Sequence, residues 1–420
     1  MVDLRELGAR AGMAAACIAF AGCASYGPEA LQQTRLQYNE AVKTTTEEQL
    51  LLNIVRLRYS DTPSSLAVSS IAAQFERTQS GQLTPFFTSA GADQNRSFTA
   101  ILPQVGISSA DRPTVSLTPL DDQEFTRKLF TPMTLDGVLY LAKTTWPIST
   151  VFRLYLENLN WVSNAQTASG PTPKSPPDVD EFLRGITALQ SLQDRASIVF
   201  GQEERFEPIG GALPSASVGA RDVIEAAKNG FEYRQDEKAG TWTLTKRTTV
   251  PVMRVDPNLG LSPDMDVFTR AFHLKPGLQR YEITQESLEP FPSAFRKEGV
   301  ENLDLETRSM LQVLYYVSHG IEIPPEHSAR GALTITRDAA GHPFDWARVM
   351  GGLFRVRWAA DGARPATAQV AVRYKGFWFY IDESDQDTKS TFALLVELSR
   401  LELAGKSGPG PTLTIPLTGK

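Results

Sequence analysis

Gln369-Val-Ala-Val-Arg-Tyr-Lys-Gly-Phe-Trp-Phe-Tyr-Ile381 is the stretch that decides the fold class. Gln369–Tyr374 and Phe377–Ile381 are rich in β-branched and aromatic residues, and Lys375-Gly376 between them supplies turn chemistry, so the reading is two strands and a turn. Immediately downstream, Phe392, Leu395 and Leu398 recur at helical spacing, which predicts a helix from Thr388 to about Leu403. Strand pairs beside helices, without a run of βαβ units, predict an α+β fold with antiparallel sheets and segregated helices.

Working outward, Leu353–Trp358 reads as a further strand. Asp304–Ser318 reads as a helix on Leu305, Met310, Leu314 and Val317, closed by His319-Gly320. Phe231–Arg234 and Thr241–Thr245 form an expected hairpin. Helices are expected over Asp121–Phe130, Leu135–Thr145 and Ile148–Val162, from Val179, and over Arg221–Lys228. Ser65–Thr118 reads as three or four antiparallel strands, with a turn at Gln79-Ser80-Gly81 and a polar loop over Ala90–Ser97. Ahead of them, a polar helix Glu29–Val42 is followed by a restart at Thr44-Thr45-Thr46. The second helix, Glu48–Tyr59, is apolar on most sides and therefore buried. Ser169-Gly-Pro-Thr-Pro-Lys-Ser-Pro-Pro177 has linker composition. The expected organisation is two to three domains: 23–165, a linker 166–178, 179–256 and 257–420.

Residues 1–22 stand apart. Arg5 and Arg10 precede the apolar run Met13–Gly22, which is too short to span a bilayer and has the size of a signal-peptide core. Phe20-Ala21-Gly22-Cys23 resembles the lipobox of bacterial lipoproteins. That resemblance implies cleavage before Cys23, acylation of its thiol and amino group, and, with Ala24 following, an address at the outer membrane. Lipid contact through acylated Cys23 is then expected. Helix-like sequence resumes within a few residues, so the body stands close to the lipid, on the periplasmic face.

Of 420 residues, 41% are hydrophobic and the net charge is −6, unchanged by removing the signal because its charges balance. A mildly acidic chain without a basic block is a poor binder of nucleic acid. The two cysteines are Cys17, inside the signal, and Cys23, so the mature body is expected to hold no disulfide and no thiolate metal site.

Candidate sites are few. Asp382-Glu-Ser-Asp-Gln-Asp387 has the density of a Ca²⁺ loop. Yet Thr388 fills the glycine slot and Leu394 the terminal ligand slot of the EF-hand pattern, so these acids are expected to cap a helix. Gly405-Lys406-Ser407 echoes a P-loop ending without its strand–loop–helix context. The four histidines, His273, His319, His327 and His342, lack metal-ligand spacing. Ser318 and Ser328 lack a nucleophile elbow. No cofactor, catalytic set or metal site is expected. Arg56, Arg58 and Asp61 flank the apolar helix, either as an internal ion pair or as a site for an anion. Trp378 and Tyr380 share one face of their strand, as core or as an interface. Phe86, Phe87 and Phe98 lie in β arms that suit an ordinary sheet, a neighbour's sheet or lipid.

The leading expectation is a non-enzymatic accessory or scaffold subunit of a cell-envelope assembly, with an envelope protein or a second copy as partner. The alternative is a lipid-anchored ligand-binding or hydrolytic protein with a site assembled from distant residues. A third reading is an oligomeric channel built from Ser65–Thr118. A concave pocket gathering Arg56 or Arg58 with His319 or His327 would favour the ligand reading, and a flat apolar patch around Trp378 and Tyr380 the scaffold. Cys23→Ser is expected to move the protein from the membrane to the soluble envelope fraction and to abolish palmitate incorporation; retention in the membrane would show that something other than lipid holds it.

Overall fold

The computed structural model describes residues 26–64, 66–72, 75–87, 99–111, 114–119, 123–236, 238–259, 262–285, 299–403 and 413–416. The signal, Cys23, the Ala90–Ser97 loop, Phe98 and Gly405–Ser407 lie outside them. The fold class is α+β. Two compact units are present, one of residues 1–50, 64–122 and 405–420, the other of residues 51–63 and 123–404.

In the first unit, helix α1 (Tyr26–Arg58, whose last residues belong to the second unit) precedes four strands, β1 (Leu66–Ala72), β2 (Phe75–Phe87), β3 (Thr99–Asp111) and β4 (Thr114–Pro119). The expected break at Thr44–Thr46 is absent. Thr45 and Thr46 donate to the Ala41 and Val42 carbonyls one turn back instead of capping a new helix, which lets α1 run on. β4 lies between β1 and the C-terminal strand Leu413–Pro416 in an antiparallel sheet, while β2 and β3 pair with one another from Phe75↔Asp111 to Phe87↔Thr99. Gln79-Ser80-Gly81, expected as a turn, lies within β2.

The second unit continues with α2 (Gln123–Phe130), α3 (Leu135–Ala142) and α4 (Ile148–Tyr155). α4 ends at Tyr155, and the chain passes straight into β5 (Leu156–Leu159) and β6 (Val162–Ser163), where a longer helix was expected. Every residue from 154 to 160 is buried, so a helical and an extended reading fit the apolar pattern equally well. After α5 (Asp180–Asp194) come β7 (Ile198–Pro208), β8 (Leu213–Pro214), α6 (Ala220–Lys228), β9 (Phe231–Asp236), β10 (Thr241–Val255), α7 (Pro263–Ala271), β11 (Arg280–Thr284) and β12 (Asn302–Thr307). The main sheet has the order β6-β5-β12-β11-β10-β7, with β8 and β9 added to β10, and is antiparallel except at β11–β12. Its strands come from residues 156–163, 198–255 and 280–307. The expected divisions at 166–178 and after 256 therefore fall inside one unit.

α8 (Met310–Ser318) follows β12 directly. Residues 302–307 alternate buried and half-buried, which is strand periodicity, and the helix begins only where Ser309 and Gln312 form a capping box. α9 (Pro325–Ala329) and α10 (Ala347–Met350) lead to a second sheet, in which β15 (Phe377–Asp382) is flanked by β13 (Arg357–Ala360) and β14 (Ala368–Tyr374). α11 (Gln386–Leu403) closes the unit. Asp385 caps it by accepting from the Thr388 amide at 3.1 Å and hydroxyl at 2.8 Å, the capping role expected of the acidic stretch, while Asp382 accepts from the Thr367 and Ser384 hydroxyls and pairs with Arg357. Among the described residues no helix is long and apolar enough to cross a membrane.

α5 packs on α7 through a close approach at Gly185. A Cβ there would stand 2.4 Å from the Phe272 ring and 2.9 Å from the Ala271 Cβ, and Phe272 is itself held edge-on by Phe182 and Phe268. Gly185→Ala therefore sets about 1 kcal/mol of helix propensity against an overpacking cost of about 1–3 kcal/mol. We expect its urea midpoint to fall below wild type; a rise would show that the contact yields.

Candidate functional site

A cleft of about 1020 Å³ opens in the second unit between the end of α1, the end of α8 and the segments around α9, α10 and the start of α11. Its deep end is built by three residues distant in sequence. Arg58, in the last turn of α1, is 4% exposed. Its Nη1 donates to the Thr172 hydroxyl at 2.6 Å, while its Nε is buried with no acceptor. Among the described residues no carboxylate lies within ion-pair distance of it. The carbonyl end of α1 gives partial electrostatic relief. Burial brings the guanidinium down to about 10, so it keeps its charge at neutral pH.

His319 caps the C-terminus of α8 and is 2% exposed. Its Nδ1 lies 2.9 Å from the Tyr315 carbonyl and donates to it. That tautomer leaves Nε2 a lone-pair acceptor, and Nε2 is buried with no donor. Burial first, and the Arg58 charge second, push the imidazole down to about 3, so it is neutral and a weak base at physiological pH. Trp346 stands edge-to-face with His319, ring centroids 4.0 Å apart, and its indole Nε1 is a third buried polar atom without a partner.

The backbone holds these groups in place. Gly320, the residue after His319, lets the Phe354 carbonyl come within 2.3 Å of where a Cβ would be, and its own carbonyl accepts from Val356 at 3.0 Å. The walls are apolar at Ile321, Ile335, Phe344, Met350 and Phe354. Of the other charges lining the cleft, Glu322 bonds Arg355 at 2.7 Å, Asp385 accepts from the α11 amide and Arg337 donates to the Gly341 carbonyl at 2.7 Å; Asp387, at the start of α11, lines it as well. Two buried donors, one buried acceptor and one uncompensated positive charge thus converge on an apolar-walled cleft.

The segment expected as a linker helps build this site. Thr172 accepts from Arg58, Pro173 from the Thr336 hydroxyl and Lys174 from the Arg337 amide, while the Ser169 hydroxyl accepts from Arg308. Its prolines and polar residues are those of a strap that offers acceptors, and a freely solvated spacer would not be bonded in this way.

The expected grouping of Arg56, Arg58 and Asp61 separates. Arg56 donates to Asn53 at 3.2 Å. The turn at Ser60 carries Asp61 to the β14–β15 turn, where it accepts from the Tyr374 hydroxyl at 2.7 Å and from the Thr62 amide; the Tyr374 bond first, and that amide second, hold its carboxyl below the usual range. An Arg58–Asp61 ion pair is thus not formed. His327 accepts from the Tyr59 hydroxyl at 2.6 Å and its Nε2 faces the Lys375 carbonyl at 3.2 Å, so it is a satisfied core histidine. Trp378 and Tyr380 are half-buried on the outer face of β15, and the Trp378 indole donates to the Gly362 carbonyl at 3.0 Å; neither contributes to a flat exposed apolar patch. Among the described residues no group of His, Cys, Asp and Glu is arranged to hold a metal. Trp346 and Thr172 carry no sequence signal that marks them. Comparison with protein families, with curated proteins and with solved structures finds no match to this chain.

His319 gives the cleft a pH signature. Its folded pKa lies below the unfolded value of about 6.5, so between those two values the unfolded chain binds a proton that the folded chain does not, and stability falls as pH falls. Wild type is expected to lose up to about 1.4 kcal/mol per pH unit below pH 6.5 relative to His319→Gln, read as urea midpoints across pH 7 to 4.5. Parallel curves would show that His319 protonates freely in the folded state.

Proposed function

We propose that this protein is a lipid-anchored envelope protein whose second unit binds a small molecule in the Arg58–His319–Trp346 cleft. The observation that carries this reading is the convergence of Arg58 Nε, His319 Nε2 and Trp346 Nε1, all buried and unpartnered, on one cleft. A buried polar atom without a partner costs about 1–3 kcal/mol, and a lone buried charge costs more. A folded chain that carries three such atoms in one place resembles a site awaiting its ligand. Arg58 calls for an anionic group, His319 for a hydrogen-bond donor on the same molecule, and the walls for an apolar body. A histidine this weakly basic suits recognition better than proton transfer, so the reading is binding and transport or sensing, without chemistry on the ligand. Anchorage through acylated Cys23 at the periplasmic face of the outer membrane belongs to the same proposal and rests on the lipobox resemblance.

Arg58→Met tests it. Replacing an uncompensated buried charge by an apolar chain of similar length should leave the melting temperature of the ligand-free protein unchanged or raise it by a few degrees. It should also abolish capture of any small molecule seen by native mass spectrometry of protein taken from its own envelope. A variant that melts well below wild type, with no bound mass in either protein, would make Arg58 a structural residue and refute the reading.

A further inference from the structure

We propose, resting on the reading of the cleft as a binding site, that its ligand is the free C-terminal end of a short peptide with an apolar last residue and a cationic group further back. The cleft offers polar atoms at its deep end, an apolar seat, open main chain on one wall and a carboxylate at its mouth, and a peptide end complements each. Its volume of about 1020 Å³ stands at the top of the range of roughly 300–1,000 Å³ for small-molecule sites, room for a chain of several residues.

At the deep end the unfilled groups are two donors, Arg58 Nε and Trp346 Nε1, and one acceptor, His319 Nε2. The imidazole and indole centroids are 4.0 Å apart, so acceptor and donor are met by neighbouring atoms of one ligand. A peptide C-terminus has that arrangement: its carboxylate accepts, and the N–H of the same residue, one Cα away, donates. A fatty acid carries the carboxylate without the N–H and leaves His319 Nε2 unmet. A phosphate monoester near neutral pH brings almost two charges. The second would find no free cation, because Arg337 and Arg355, the other arginines lining the cleft, are bonded to the Gly341 carbonyl and to Glu322.

Further out the chemistry continues in the same sense. Ile335, Phe344, Met350 and Phe354 give the last side chain an apolar seat. Ile335 ends a strip, Leu333–Ile335, whose main-chain amides and carbonyls make no hydrogen bond among the described residues. A peptide running along that strip has amides and carbonyls of its own to pair with it, which an alkyl tail does not. Arg58 and His319 are 4% and 2% exposed, whereas Asp387, in the first turn of α11, is exposed, so the positive charge lies deep and this carboxylate at the mouth. Among the described residues Asp387 has no ion-pair partner. It is placed to meet the part of the ligand that enters last, an N-terminal ammonium or a basic side chain. Opposite charges at the two ends of the cleft fix the direction in which the peptide lies.

The test is isothermal titration of the full-length protein in detergent with Ala-Leu-Phe and Ala-Ala-Val, each as the free acid, the C-terminal amide and the N-acetylated acid, with decanoate and octyl phosphate alongside. The free acids are expected to bind, the amides to bind about thirtyfold more weakly or not at all, and Arg58→Met to lose the acids. Acetylation should weaken binding about two- to fivefold in wild type and leave it unchanged in Asp387→Asn. Failure of both tripeptide acids to bind overturns the proposal, as does equal affinity for acid and amide; a loss on acetylation that persists in Asp387→Asn overturns the assigned direction. Decanoate or octyl phosphate held by wild type and lost in Arg58→Met would then show a working cleft for a different anion, which keeps failure of the peptide separate from failure of the site.

Discussion

Arg308 is the constraint on which the second unit depends. It is wholly buried at the junction of β12 and α8, yet among the described residues no carboxylate lies within ion-pair distance of it. Its Nη1 donates to the Arg153 and Leu154 carbonyls at 2.9 and 3.2 Å, its Nη2 to the Asn164 carbonyl and its Nε to the Ser169 hydroxyl at 2.8 Å, and its plane lies 3.9 Å over the Tyr316 ring. The Arg153 and Leu154 carbonyls belong to the last turn of α4, which a helix entering a strand without a spacer leaves orphaned. A guanidinium at that negative end supplies donors and charge together. Asn164 completes the cap by donating to the Arg153 and Leu156 carbonyls. Because the Arg308 amide also bonds the Tyr155 carbonyl at 2.8 Å, one residue fixes the end of α4, the register of β5 on β12 and the start of α8.

Arg58 and Arg308 set the same problem and receive opposite solutions. Both are buried guanidinium groups with no ion-pair partner among the described residues, and in both desolvation lowers the pKa. Around Arg308 the chain has placed acceptors for Nε, Nη1 and Nη2, and the result is a rigid joint. Around Arg58 it has placed one hydroxyl and an open cleft that the neutral imidazole of His319 also lines. The difference cannot come from a general shortage of acceptors, because the 166–178 strap serves both residues, through Ser169 and through Thr172. A structural arginine is saturated by its own chain, and one left short of partners at a cleft has capacity to spare for a ligand.

The α+β class was legible because it rests on periodicity, and periodicity is local. β14, the Lys375-Gly376 turn and β15 follow from alternation and turn chemistry alone. The failures have separate causes. Leu156–Leu159 are buried throughout, so their apolar spacing carries no period that separates strand from helix, whereas Leu303 and Leu305 alternate with half-buried residues and the helix reading reaches back to Asp304 from the helical spacing that starts at Met310. The Pro-rich strap reads as a spacer because its function lies in carbonyls, which no side chain advertises. Arg58 was legible as an anomaly, an arginine on an apolar helix, and the sequence pointed to Asp61 as its partner only through proximity. The one-turn reversal at Ser60 that separates them is a backbone conformation of positive φ at a residue other than glycine, which composition does not reveal.

Arg58 and His319 hold one another in their present states. The positive charge helps to keep the imidazole deprotonated, and the deprotonated imidazole offers a lone pair where a protonated one would repel the guanidinium. An anion seated on Arg58 cancels the field that disfavours His319 protonation, so ligand and proton would favour one another's binding, and reciprocity requires that acidity tighten the anion's hold by the same factor. Trp346, edge-on to the imidazole, lines the same cleft as both. Such coupling would run through two residues 261 positions apart in sequence that line one cleft, at the ends of α1 and α8.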